Sequence, residues 1–201
     1  MFNSLHKNKV VLGGGVLIGL AALAFQGAIF TSHTTGALLP DFPGMYDQWG
    51  SNVAQGILVN DQACNGTGSY DFANVTGQRT SYRVDISSIP EGSVIKRIRI
   101  VPCASANHPP LSDDPTVMNV FYRFDNTQSA DKGGYVLTGA TPRTLYTTSF
   151  DGLLLPVVQT AGRASGRTNS VLEIGAVLSE GTAGARLSRI ATVITYTTLA
   201  K

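Results

Sequence analysis

The sequence predicts an all-β chain: an antiparallel β-sandwich of jelly-roll-like type, preceded by one N-terminal apolar helix. Three observations predict it. Val10–Phe30 is an uncharged run of 21 residues, with Gln26 its one strongly polar side chain and Lys7 and Lys9 just before it. Beyond the run the hydrophobic pattern repeats every two residues, the period of a half-buried strand, rather than every 3.6. Clusters of Gly, Pro, Asn and Asp interrupt that pattern, and no convincing amphipathic helix supplies the crossovers that a parallel sheet needs.

The apolar run is long enough to cross a bilayer as a helix, and basic residues on its N-terminal side keep that end in the cytoplasm. Two readings of residues 1–30 stay open. One is an uncleaved signal anchor. The other is a signal peptide, with a small-x-small site at Ala22-Leu23-Ala24 or at Thr35-Gly36-Ala37. Either way the rest of the chain is exported and extracytoplasmic. Gly15 and Gly19 form a GxxxG pair, a motif of helix dimers, but glycine is common in such segments. Residues 31–44, with Pro40 and Pro43 and small polar side chains, read as a spacer, and residues 45–201 as the sandwich domain.

Within that domain Ser81–Ile86 alternates, with Tyr82, Val84 and Ile86 inward and Arg83 and Asp85 outward. Lys96–Ile100 alternates likewise. Thr116–Asp125 places Met118, Val120, Tyr122 and Phe124 on one face. Arg143–Phe150, Ser170–Leu178 and the β-branched Arg186–Thr198 complete the stronger set; Val53–Val59, Gly134–Leu137 and Leu153–Val158 are weaker. Turns are expected at Asn65-Gly66, Pro90-Glu91-Gly92, His108-Pro109-Pro110, Lys132-Gly133-Gly134, Asp151-Gly152 and Gly181–Gly184.

Charge narrows the function. Of the 15 Lys and Arg, Lys7 and Lys9 precede the run, so residues 37–201 carry 13 basic and 13 acidic side chains. No basic field is left to attract nucleic acid. Cys64 and Cys103 are the two cysteines, and in an oxidising compartment an even pair points to one disulfide, with two separately buried thiols as the alternative. A zinc site would need more ligands at closer spacing.

No catalytic set emerges. His108 is the one histidine of the domain, and its neighbours Ser105, Ser112, Asp113 and Asp114 do not make a triad pattern; a solvated loop histidine is the simpler reading. Gly162–Gly166 misses the spacing of a nucleophile elbow. Glycoside hydrolysis needs two facing acids, and Asp85 and Glu173 are the acids within strong strand patterns. The Asp125–Asp131 loop and Asp113-Asp114 offer oxygen ligands for calcium, although the same residues make ordinary Asx turns. Phe42, Tyr46, Trp49, Tyr70 and Phe72 suit a sugar platform or the closing of a sandwich end. Asn65-Gly66-Thr67 and Asn74-Val75-Thr76 match glycosylation acceptors. The expectation is therefore no cofactor, no metal site and no enzyme.

Ser87-Ser88-Ile89-Pro90-Glu91-Gly92-Ser93-Val94-Ile95 and the alternating strand after it resemble a motif of β-sandwich modules in bacterial surface and secreted proteins. The closing segments Leu172–Leu178 and Ala191–Tyr196 are similar to the paired C-terminal strands of such modules. The resemblance implies display or adhesion and brings no catalytic residues. The expectation is thus an exported, membrane-tethered structural, adhesive or binding module whose partner is a surface ligand, protein or glycan. A carbohydrate-binding module is the alternative, and a secreted hydrolase the second.

Overall fold

The structure is a computed structural model that describes residues 30–51, 64, 69–109, 114–159 and 169–199. The expected apolar helix, the strand over Val53–Val59 and the Asn65-Gly66 turn lie outside the described residues, apart from Phe30. Among the described residues no helix is long and apolar enough to cross a membrane.

In chain order the strands are β1 (Phe30–Thr34), β2 (Pro40–Asp47), β3 (Gly50–Ser51), β4 (Asp71–Ala73), β5 (Arg79–Val84), β6 (Val94–Ala106) and β7 (Thr116–Phe124). There follow β8 (Thr127–Gln128), β9 (Lys132–Leu137), β10 (Arg143–Thr144), β11 (Thr148–Pro156), β12 (Leu172–Glu180) and β13 (Ala185–Leu199). They build two antiparallel sheets stacked as a β-sandwich. The first runs β10-β6-β13-β4-β3, with β11 also on β6 and β1 also on β13; the second runs β2-β5-β12-β7-β8, with β9 also on β7.

Period-two patterning explains the core. Ile98, Ile100, Leu187, Ile190 and Ile194 of the first sheet meet Tyr82, Val84, Met118, Val120, Leu172, Ile174 and Leu178 of the second, all buried. Ile86 and Ile89, on the β5–β6 connection, close one end. The inward set read from Ser81–Ile86 and from Thr116–Asp125 is the set found.

Three sequence expectations are corrected. Residues 31–44 are no spacer: β1 pairs with β13 from Phe30↔Leu199 to Thr34↔Thr195, and β2 pairs with β5. Prolines fit β2 because it is an edge strand, where a missing N–H breaks no ladder. Lys132-Gly133-Gly134 and Asp151-Gly152 are not inter-strand turns but lie inside β9 and β11, where the register shifts. Gly133, Gly134 and Gly152 have φ of 119°, 56° and 70°, so the signal for a left-handed residue was real and marks bulges instead. Finally, Arg143–Phe150 is not one strand; it divides into β10 and the start of β11.

Asp71 and Tyr82 join the sheets, the phenol donating to Asp71 Oδ2. Burial lifts the Asp71 carboxyl above its ordinary range, outweighing the lowering by its hydrogen bonds from Tyr82 and Ser51. Burial and the facing Asp71 charge push the Tyr82 phenol well up, so it stays a donor. The folded protein therefore binds the Asp71 proton more tightly than the unfolded chain does. Its stabilising contribution is complete below the unfolded value of 3.8 and is lost as pH rises through the raised folded value. An Asp71→Asn variant, which keeps an acceptor for Tyr82, should gain stability relative to wild type as pH rises across that window. Urea midpoints measured at stepped pH would show it, and parallel curves would refute it.

Candidate functional site

Among the described residues, the outward face of the second sheet carries most of the charged groups that meet one another. Register puts Arg83, Glu173 and Arg123 in one cross-strand row on β5, β12 and β7, and directly opposed residues on a face interact. The next row is Ser81, Gly175 and Phe121. A Cβ on Gly175 would lie 2.5 Å from the Phe121 ring, so the glycine leaves room for that ring to lie across the strand.

β2 folds over this face. Its pairing with β5 breaks between Pro43 and Asp47, and the bulged residues drop onto the sheet. Gly44 sits where a Cβ would be 2.2 Å from Ser81 Oγ and 2.8 Å from Glu173 Oε2. The Glu173 side chain is 5% exposed. Its Oε2 accepts from Met45 N at 2.9 Å, Ser81 Oγ at 2.9 Å and Arg123 Nη1 at 3.0 Å. Its Oε1 lies 4.0 Å from Arg83 Nε, on a side chain 56% exposed. Tyr46 meets the Phe121 ring edge-on at 5.7 Å, with Arg79 and Arg123 over its own ring at 6.0 and 5.8 Å. Arg79 in turn forms a two-pronged pair with Asp131 at 2.8 and 2.6 Å.

Beside this cluster opens a groove with two lobes. The larger, about 620 Å³, lies between Asp41-Phe42, Arg83–Ser87, Gln159 and Asn169–Val171. The second, about 440 Å³, lies over Met45, Arg123, Asp125-Asn126, Val158 and Glu173, and shares Arg83 and Asn169–Val171 with the first. Each volume suits a small-molecule subsite. Asp85 Oδ1 accepts from Ser87 N at 2.8 Å, and the hydrogen bonds from Ser87 hold the Asp85 carboxyl below its ordinary range. Asp41 Oδ2 accepts from Asp85 N at 3.1 Å, which ties the start of β2 to the groove. Gln159 Nε2 donates to Ile86 O at 3.0 Å and Ile89 O at 2.5 Å. Val158 and Ser170 close the base of the groove, each backbone N–H donating to the other residue.

The residues singled out from sequence distribute as follows. Cys64 and Cys103 are bridged, Cα atoms 5.7 Å apart. The five aromatics do not form a platform. Trp49 is buried and donates to Gln78 O at 2.9 Å. Tyr46 lies under Arg79 and Arg123, Tyr70 under Arg186 at 4.1 Å, and Phe72 beside Gly50. Phe42 is the exception, 66% exposed at the rim of the larger lobe. Asp85 and Glu173 stand on separate lobes, and Glu173 Oε2 is saturated by its three donors.

The described acids offered for calcium, Asp114, Asp125 and Asp131, each have another partner, for Asp125 the Val171 N–H at 2.8 Å. Asp125 and Asn126 are the two central residues of the β7–β8 hairpin, where Asp125 has φ 53°, as such turns require. Asp131 belongs to Arg79, and Asp114 accepts from Thr182 N at 2.9 Å. Among the described residues no group of three acidic, histidine or cysteine side chains is placed to hold a metal. His108 is an exposed turn residue. Asn74 lies in an exposed turn and accepts from Asn107 Nδ2 at 2.9 Å. Ser112, Asp113, Gly162–Gly166 and Asn65–Thr67 lie outside the described residues. Sequence reasoning missed Asp41, Arg83, Arg123 and Gln159 as site residues. The nearest signal was Val120–Phe124, where Phe121 and Arg123 oppose an apolar face.

No family model matches the chain, and no curated protein matches it. Among solved structures the chain is similar to the CBM36-1 domain of a multidomain xylanase from the hindgut metagenome of Trinervitermes trinervoides. That likeness has 11% identity and a TM-score of 0.37, over 81% of this chain and 96% of that one. It is also similar to a family two carbohydrate esterase from Cellvibrio japonicus, at 14% identity and a TM-score of 0.32, over 86% of this chain but 36% of that one. Neither likeness carries a residue role across.

Proposed function

We propose that the chain is an exported β-sandwich binding module, tethered by its N-terminal apolar run, that takes a neutral or basic glycan in the two-lobed groove. The observation that supports this reading best is Phe42. Its exposed ring stands beside the carboxylates of Asp41 and Asp85 and the guanidinium of Arg83. A sugar ring offers one apolar face and a rim of hydroxyls, and it needs that pairing of an apolar plane with fixed polar groups. Charge then selects among glycans. The lobes carry two guanidinium groups, Arg83 and Arg123, against four carboxylates, Asp41, Asp85, Asp125 and Glu173. An acidic saccharide would enter against that excess.

Neutral and amino-sugar oligomers should therefore bind the full chain in detergent, and uronate or sulfated oligomers should not. Phe42→Ala should weaken binding about 30-fold, the effect of losing a contact worth about 2 kcal/mol, with the unfolding midpoint unchanged because the ring is in solvent. A glycan array followed by titration of the variant checks both. A preference for acidic glycans, or full affinity in Phe42→Ala, would reject the groove as the site.

A further inference from the structure

We infer that the domain lies flush on the bilayer surface, with Phe30 and Leu199 seated at the lipid interface, and not at the end of a stalk. This rests on the tether in the proposed function and goes beyond it. The uncharged run Val10–Phe30 ends on the first residue of β1, so no residues intervene between the apolar run and the folded sheet. A run of this length spans the hydrocarbon as a helix and brings its last residue to headgroup level.

β1 is no loose leader. Beyond its register with β13, Thr35 N donates to Ile194 O at 2.9 Å and Ile194 N to Thr35 Oγ1 at 3.0 Å. Leu38 and Thr192 exchange backbone bonds at 2.8 and 2.9 Å. The sheet is therefore fastened to the chain at the point where it leaves the apolar run, and cleavage after Ala37 would strip β1 from it. At that point two large apolar side chains face outward together. Phe30 and Leu199 are directly opposed in register, hence on one face, and are 61% and 59% exposed. The polar Thr31–Thr34 follows, and His33 stacks on Tyr196 at 5.2 Å. Apolar ends followed by polar and amphipathic aromatic side chains match the gradient from acyl chain to headgroup. The partner of this face is the membrane that holds the apolar run.

Tryptophan fluorescence tests this. The one native tryptophan, Trp49, is buried and adjoins β3, which reaches β13 through β4 at Ala185–Leu187, the end of β13 away from Leu199. It serves as an internal control. The full chain and its Leu199→Trp variant are reconstituted into phosphatidylcholine vesicles with plain or brominated acyl chains, and flotation is scored alongside emission. The expected result is that both proteins float, that the added Leu199→Trp emission is blue-shifted and largely lost in brominated lipid, and that Trp49 emission is unchanged. Phe30→Trp should behave as Leu199→Trp does, which guards against one variant misfolding. Flotation with neither added tryptophan quenched would overturn flush seating while leaving the tether standing. Failure of the wild type to float would overturn the tether and the seating with it.

Discussion

Loss of the Cys64–Cys103 bridge is expected to take away a large share of the stability of the fold. The cysteines are 39 residues apart in sequence, and closing a loop of about 40 residues is worth about 4 kcal/mol in the chain-entropy model. One offset is visible in the backbone. Cys64 has φ 51°, a left-handed conformation that costs a non-glycine residue about 1–2 kcal/mol and that an unbridged chain is free to leave. A net loss of about 2–3 kcal/mol then follows for Cys64→Ala, against the roughly 5–15 kcal/mol that holds a typical domain together. Cys64 is the better position to change, because Cys103 is buried in β6, opposite Arg189 and Thr144. Urea unfolding of Cys64→Ala and of reduced wild type should agree. Exported protein, unfolded and alkylated without reductant, should take up no label, and two after reduction. Two labels without reductant would show that the fold stands unstapled.

The bridge was legible because a chain with two cysteines leaves one pairing. The strands that bury one face, β5, β6, β7, β12 and β13, were legible for a comparable reason: each carries its own period-two signal, and burial enforces it. What failed was whatever depends on a partner strand. β1 is exposed along its length and β2 contains two prolines, so neither shows alternation; both are strands because β13 and β5 offer them an edge. Glycine marked the bulges at Gly133 and Gly152 as clearly as it marks turns, and only the neighbouring strand decides between the two. The site follows the same logic. Glu173 is legible in sequence as an acid within a strand pattern, which by itself fits a catalytic group. Its partners come from a backbone N–H of β2, a serine of β5 and an arginine of β7, a meeting set by register across three strands. Phe42 was one of five aromatics of equal standing in sequence, and the fold buries or covers the other four.

The same meeting makes Glu173 the side chain whose loss should cost most. Glu173→Leu removes the counter-charge from Arg123, whose side chain is 10% exposed, and leaves Met45 N without its acceptor. Breaking a buried pair by deleting one partner costs about 3–5 kcal/mol. Arg83 should contribute little: its guanidinium is 4.0 Å from Glu173 on a half-exposed side chain, and Arg83→Met should cost less than about 1 kcal/mol. Replacing both buried partners, in Glu173→Leu/Arg123→Met, should recover much of the loss, because apolar groups of similar size often serve as well as a buried pair. Binding should not recover with it. Glu173 fastens Met45, and through it the bulge of β2 that precedes the return to β3, while Phe42 and Asp41 stand on the same short strand. With the Met45 N–H unpaired, the strand that presents the Phe42 ring loses its clamp whether or not the charges beneath are balanced. Phe42→Ala should thus lose affinity alone, Glu173→Leu both affinity and stability, and the double variant affinity with stability largely restored. Urea unfolding and glycan titration of the three variants side by side separate these outcomes. A Glu173→Leu variant within about 1 kcal/mol of wild type would mean that β2 is held by its pairing with β5 alone, and that the carboxylate is no clamp.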